Sequence, residues 1–434
     1  MTKTIRVEAL ARVEGEGGLF VEVDGDRVRE VRLDIFEPPR FFEALLRGRD
    51  HREAPDITAR ICGICPVAYQ LSAVRAMEDA LSVTVSPPIE DLRRLFHCGE
   101  WIQSHALHVF MLHAPDFLGF DSAFRMADEH PFWFDAGLEL KRAGNDIIRA
   151  VGGREVHPIN ARVGGWHRTP SRRRIEALRE PLERARELSE QAVRWVAGFD
   201  VPCLEARREW VSLHHPGEYA MNWGRIVSSE GLDAPVREVF DHIVESQVPH
   251  STALHATRSD GGVFGLGPMA RFAANFGQLL DPVKALAREV GAEPPIFNPF
   301  RSIVVRALEI RQCIEDALEL VRVYRDDFDP HVAYEPRAGV GWGAVEAPRG
   351  LLVHRYEVDE AGDIGAARIV PPTAQNQKAI EADLKVFVEE HLETDAEQLQ
   401  WHCEQVVRNH DPCISCATHF LRLHLQRTPS ERQG

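Results

Sequence analysis

Arg60-Ile61-Cys62-Gly63-Ile64-Cys65-Pro66 and Asp411-Pro412-Cys413-Ile414-Ser415-Cys416-Ala417-Thr418-His419 put a Cys-x-x-Cys pair near each end of a 434-residue chain. Structural zinc ribbons pair two such knuckles across a loop of roughly 15 to 20 residues. Here several hundred residues intervene, so a four-thiolate site closes only when the whole chain has folded. Such a span suits a catalytic centre in a large core better than a structural zinc staple.

Both pairs lie where a thiol is activated. Asp411-Pro412 has the form of an N-cap followed by proline at the first helical position. Pro66 has the same placement after Cys65, ahead of a helical apolar pattern through Leu71, Val74, Met77 and Leu81. Free N–H groups at a helix start lower a cysteine pKa and favour the metal-binding thiolate.

The chain is 44% hydrophobic and 27% charged, enough to bury a large core. Its net charge of −16 argues against nucleic acid as a partner, because phosphate neutralisation needs a basic surface. The start, Met1-Thr2-Lys3-Thr4-Ile5-Arg6, has no apolar signal region, and no run of eighteen apolar residues occurs, so a cytoplasmic location without a membrane span is expected. Eight cysteines in a chain of this size are not a disulfide framework. Cys98, Cys203, Cys313 and Cys403 are expected to be buried or half-buried small hydrophobes.

The opening is β-rich, with Leu19 to Val23 and Arg27 to Ile35 alternating around a hairpin signal at Asp24-Gly25-Asp26. Helical periodicity dominates from about Pro88, and one long helix is expected from Ser171 to Ala197, its Arg172 to Arg174 run forming a solvated face. A second strand pair is expected at Leu351 to Val358 and Ala366 to Val370, followed by helices from about Gln377 to His391 and Ala396 to Arg408. Gly15-Glu16-Gly17-Gly18 and Gly339-Val340-Gly341-Trp342-Gly343 lack the strand-and-helix context of phosphate loops, and are expected to be turns where backbone approaches backbone. His105 and His108 have an i, i+3 spacing that suits zinc, though core histidines with satisfied partners are the expected role. The sum is one cooperative body, mainly α with small antiparallel β-sheets (α+β).

The two cysteine motifs resemble the first and last signatures of the large, catalytic subunit of nickel-iron hydrogenases. Further motifs fall in that family's order: Arg12-Val13-Glu14-Gly15, Arg40-Phe41-Phe42-Glu43 with Leu46-Arg47-Gly48-Arg49-Asp50, Glu346-Ala347-Pro348-Arg349-Gly350, and Val370-Pro371-Pro372-Thr373. The resemblance implies the hydrogenase large-subunit fold, related to the quinone-site subunit of complex I, as a single domain over residues 1–419. It also implies a C-terminal propeptide, residues 420–434, that a maturation protease cuts off after His419 once nickel-insertion chaperones have acted.

By the same resemblance, Cys62 and Cys413 are terminal nickel ligands, and Cys65 and Cys416 bridge nickel to an iron carrying CO and cyanide. Cys413 sulfur takes the proton released from dihydrogen and Glu14 carries it away. Arg349 holds its charge over the open metal face, with Pro348 and Asp411 beside it, while Pro372 and Thr373 lie by the cyanides. Glu43, the backbone carbonyl of Arg368 and His419 match the ligands of a hard cation such as magnesium.

Tyr69, Ser104 and Pro372 depart from residues common in the family, histidine, aspartate and serine respectively. The blocks Cys65 to Gln70, Gln103 to His108 and Pro249 to His255 look most like the soluble, bidirectional NAD(P)-linked class. Electrons then leave through an iron-sulfur small subunit to flavin and NAD(P) diaphorase subunits. Two readings from other classes stay open: a metal-free scaffold like the complex I subunit, and a zinc-dependent hydrolase.

Overall fold

The computed structural model describes residues 2–418. Thr2–Val7, Gly17–Asp24 and Arg27–Ile35 form an antiparallel sheet in chain order, and the expected hairpin turns at Gly25-Asp26 between the paired Asp24 and Arg27. Alternation sends Leu19, Val21, Leu33 and Ile35 into a core shared with Ile380, Leu384 and Phe387 of helix Pro372–Glu390 and with Leu399 and Val406 of helix Ala396–Asn409. The first sheet therefore packs on the two helices that lead to the C-terminal cysteine pair.

A second body is helical. Helix Pro87–Ala106 packs on Pro131–Gly152 and on Ser302–Val323, which in turn packs on Arg179–Ala197. The long helix expected over Ser171 to Ala197 is two helices, Arg172–Glu176 and Arg179–Ala197. Pro181 explains the break, since it has no N–H for the Ala177 carbonyl and its ring crowds that carbonyl. The Arg172 to Arg174 face is exposed, as expected.

Helix Pro66–Leu81 is the pivot between the cysteines and the rest of the core, and nearly all of its residues are buried. Against it lies strand Gly339–Ala347, the first of an antiparallel sheet with Gly350–Val358 and Ile364–Val370. The Gly339 to Gly343 cluster is thus a strand and not a turn. Its alternate positions face the helix, where a Cβ on Gly341 would sit 2.0 Å from the Ala76 carbonyl oxygen and one on Gly343 2.3 Å from that of Ser72. Three glycines at the strand period meet Ser72, Ala76 and Ala80 at the helix period, so the backbones touch.

Other sheets are small. A four-stranded one is antiparallel except for Phe264–Gly265, which runs parallel to Glu209–His214. Ile243–Ser246 pairs antiparallel with His255–Arg258. Among the described residues no helix is long and apolar enough to cross a membrane. Cys98, Cys313 and Cys403 are buried as expected, but Cys203 is exposed, in the irregular stretch after helix Arg179–Ala197.

Candidate metal centre

The chain ends meet as the cysteine spacing requires. The Sγ atoms of Cys62, Cys65, Cys413 and Cys416 all lie within 4.8 Å of one another, and all four residues are buried. Cys62 Sγ is 2.8 Å from Cys65 Sγ and 3.6 Å from Cys413 Sγ, Cys65 and Cys416 are 4.0 Å apart, and the Cys413 and Cys416 sulfurs are in bonding contact.

The two pairs are held differently. Cys65 caps helix Pro66–Leu81 with proline at its first position, as expected, and the wholly buried Glu100 accepts from the next free N–H groups, Val67 at 2.6 Å and Ala68 at 3.0 Å. Burial opposes ionisation of Cys62. The hydrogen bond from Cys65 and the charge of Arg349 outweigh it, bringing the thiol below its ordinary pKa. At Cys65, burial, the bond to Cys62 and the charge of Cys62 all push the pKa up.

At the other end, the expected N-cap is wrong. The helix is Ile414–Ala417, capped by Cys413, and Asp411 adopts a left-handed backbone with φ of 50°. Tertiary partners replace the local cap. Asp411 takes the Arg349 guanidinium, with Nε 2.7 Å from its carbonyl oxygen and Nη2 3.1 Å from Oδ1. Cys413 N–H donates to Thr373 Oγ1 at 2.9 Å, and Ile414 N–H to the Glu14 carbonyl at 2.8 Å.

Glu14, half-buried, joins the first sheet to the sulfur cluster. Its Oε2 lies 3.0 Å from Cys413 Sγ and accepts from Ser415 N–H at 3.1 Å. Gly15 makes this approach possible: its φ is +89°, and a Cβ there would be 2.7 Å from the Ile414 Cβ. Arg349 occupies the two-residue turn, Pro348-Arg349, between strands Gly339–Ala347 and Gly350–Val358. Burial opposes its charge, but Asp411 and the cysteines raise its pKa above the ordinary value. Its Nη1 is buried with no hydrogen-bond partner, as is Asp411 Oδ2. Pro348 is fixed through its carbonyl, which accepts from Arg271 Nη2 at 2.8 Å, and Pro372 starts the helix that carries Thr373.

Glu43 is buried, and its Oε1 accepts from Ile369 N–H at 2.7 Å, one residue beyond Arg368. Arg368 itself turns its side chain to Glu245, 2.8 Å away. His419 lies outside the described residues, as does the expected propeptide. Thr418 is reached, and its carbonyl accepts from Arg40 N–H at 2.8 Å.

Sequence reasoning missed three supports. Arg40 Nη2 donates to the carbonyls of Ile61, at 2.7 Å, and Ser415, linking the two cysteine segments. Glu100 carries no motif. Asp116 holds Arg12 and Arg408 together, with Arg408 Nε at 2.7 Å, and so ties the Glu14 segment to the helix before Asp411. The Arg12 and Arg40 motifs were the available signal for two of these. His105 and His108 are core residues, as expected, but each is satisfied at one nitrogen only: His105 Nε2 pairs with Glu309 at 3.0 Å and His108 Nε2 meets the Arg408 carbonyl at 2.9 Å, capping that helix end, while both Nδ1 atoms are buried without a hydrogen bond. Tyr69 and Ser104 are buried, and neither hydroxyl has a hydrogen-bond partner, so Tyr69 makes no bond to sulfur.

The donor set fits a soft bimetallic group, since four buried cysteine sulfurs converge and the Nη1 of Arg349 is buried without a hydrogen-bond partner. Comparison with known proteins agrees. Residues 40–131 match the family model described as nickel-dependent hydrogenase. The chain is 34% identical to sulfhydrogenase 1 subunit alpha of Pyrococcus furiosus over 423 residues, 96% of this chain and 98% of that one. This chain belongs to the nickel-dependent hydrogenase family.

The hydrogenase is also 28% identical to the NAD-reducing hydrogenase HoxS subunit beta of Cupriavidus necator, over 97% of this chain and 96% of that one. A crystal structure of an NAD+-reducing [NiFe]-hydrogenase in the H2-reduced state superposes with a TM-score of 0.86 at 28% identity, covering 96% of this chain and 99% of that one. The large-subunit fold and an oxidoreductase activity on dihydrogen follow. The metal-free scaffold and the zinc hydrolase have no support.

Proposed function

We propose that this hydrogenase subunit cleaves dihydrogen heterolytically and reversibly, and passes the electrons to an iron-sulfur small subunit and on to NAD(P) through flavin-bearing diaphorase subunits. The observation that carries the proposal is the convergence of four buried sulfurs with Glu14 Oε2 at 3.0 Å from Cys413 Sγ. Cys62, Cys65, Cys413 and Cys416 would together hold a nickel-iron group whose iron would carry CO and cyanide ligands. When bound, that group supplies a soft electrophile that polarises dihydrogen.

The chain's own residues do the rest. Cys413 sulfur receives the proton, and Glu14 Oε2, in contact with it, takes the proton onward. Arg349, steered by Asp411, offers its unpartnered Nη1 as a fixed donor toward the centre, and the buried Pro348 and Pro372 would help to exclude water there. Thr373 Oγ1, which accepts from Cys413 N–H, has its own proton to give to a cyanide. Among the described residues the other cysteines form no second cluster, so electrons require a partner.

Glu43, the Arg368 carbonyl and His419 would bind magnesium or another divalent cation, locking the C-terminus after a maturation protease removes residues 420–434. Nickel-insertion chaperones would act before that cut, in the cytoplasm. The test is hydrogen-driven reduction of NAD+ or NADP+ by the assembled complex, with intact mass of the active subunit. Hydrogen uptake without nucleotide reduction would overturn the partner assignment, and an active subunit that retains Phe420 to Gly434 would overturn the maturation step.

A further inference from the structure

A second group of ligating side chains lies apart from the sulfurs. One ligand atom each from His250, His255 and Glu381 lie within 4.8 Å of one another. They come from three segments: His255 opens strand His255–Arg258, His250 sits in the loop before it, and Glu381 is on helix Pro372–Glu390. Thr373 is eight residues earlier on that helix, about 12 Å away at the helical rise, so this group does not touch the sulfur centre.

His255 is the unexplained member. It is completely buried, yet neither ring nitrogen makes a well-formed hydrogen bond: Gln377 is within polar reach of the ring, and the nearest carboxylate oxygen, Glu381 Oε2, is 4.0 Å from Nδ1. A buried imidazole whose N–H and acceptor are poorly paired is destabilising, because each group gives up its bonds to water without full replacement. Gln377 is already engaged at both ends, its Oε1 accepting from Ser251 Oγ and its Nε2 donating to the Leu254 carbonyl, so it leaves the imidazole poorly served. His250 Nε2 is 3.0 Å from Glu381 Oε1, and the two imidazole rings meet edge to face with centroids 5.3 Å apart.

We propose that His250, His255 and Glu381 form a second metal site, for a borderline divalent ion of the zinc type, that clamps the Ile243–Arg258 hairpin to helix Pro372–Glu390. Two imidazoles and one carboxylate match zinc and ferrous ions and not magnesium, which takes oxygen donors. The ion satisfies His255 and takes the Nε2 lone pair of His250, whose proton moves to Nδ1 as the hydrogen bond to Glu381 Oε1 is given up. His250 also borders a surface cavity of about 600 Å³, with Pro249 and Ser251, which opens this side of the cluster to solvent. Lys378 competes for the carboxylate, its Nζ 3.1 Å from Glu381 Oε2, but its side chain is one-third exposed and free to swing out. Leu33 N–H donates to Oε1 at 3.2 Å, so Oε2 is the oxygen left to the metal.

The test uses purified holoenzyme titrated with zinc, read by metal content and by X-ray absorption at the zinc edge, which nickel and iron do not obscure. Wild type is expected to take up a stoichiometric zinc with two imidazole nitrogens in its shell. Glu381→Gln and His250→Ala are expected to lose it while hydrogen turnover is kept, and the half-buried His250 serves if His255→Gln fails to fold. Lys378→Ala is expected to tighten binding by roughly tenfold, because it removes a competing positive charge. Glu43→Gln separates this zinc from any bound near the C-terminus and is expected to leave it in place. No zinc uptake by wild type, or uptake that survives both His250→Ala and Glu381→Gln, overturns the proposal.

Discussion

The two cysteine pairs reach one point by opposite means. Cys62 and Cys65 precede a long buried helix whose first turn is written locally, by Pro66 and by an apolar run, with Glu100 closing the free N–H groups. Cys413 and Cys416 sit on a four-residue helix with no side-chain cap, which isolated would not persist. That segment is shaped by residues distant in sequence, namely Glu14, Arg40, Arg349 and Thr373. The N-terminal pair is therefore an anchor, and the C-terminal pair a latch that the rest of the fold sets.

The comparison breaks first at the sulfurs. Cys65→Ser and Cys416→Ser are each expected to abolish hydrogen uptake and the joint retention of nickel and iron, since a hard alkoxide does not replace a thiolate toward soft metals. Near-normal uptake by either variant, measured with an artificial electron acceptor, would refute the equivalence of the two pairs at the metals.

Next comes Glu14→Gln, which keeps an oxygen for Ser415 N–H but loses the carboxylate. Turnover and hydrogen-deuterium exchange with water are expected to fall by at least roughly 100-fold, while para to ortho conversion of hydrogen survives. Loss of the metals in this variant would make Glu14 part of the latch alone.

Arg349→Lys is expected to lower activity by roughly 10- to 100-fold, because lysine cannot span the Asp411 carbonyl and carboxylate while leaving an N–H for the centre. An unchanged rate with an unchanged infrared spectrum would remove Arg349 from the site. Thr373→Val, the mildest change, leaves Cys413 N–H without its acceptor and is expected to cost about 1–3 kcal/mol in thermal unfolding. The matching loss at the anchor, Glu100→Gln, leaves the Pro66–Leu81 helix formed, and circular dichroism checks that its helicity persists.

This asymmetry also governs what the sequence made legible. The first hairpin, helix Pro66–Leu81 and the helix from Ala396 follow from local period and turn chemistry, and they are where expected, whereas the helix expected from Gln377 starts five residues earlier, with Pro372 at its first position. Asp411 was misread because Asp-Pro is a strong local N-cap signal, and a buried arginine 62 residues away overrode it. Strand Gly339–Ala347 was misread for a similar reason: glycine at alternate positions signals turns locally, and only contact with Ala76 reveals a packing surface. Glu100 and Asp116 were invisible, as buried acids in helical stretches have no pattern until their partners are known.

Anchor and latch together are expected to hold a nickel-iron pair in a four-sulfur site. Metal content of the purified subunit, taken with its infrared spectrum, tests this most directly. Nickel and iron in equal amounts, with bands from CO and cyanide that disappear in Cys416→Ser, is the expected result; zinc alone at the four cysteines, with no such bands, would contradict it.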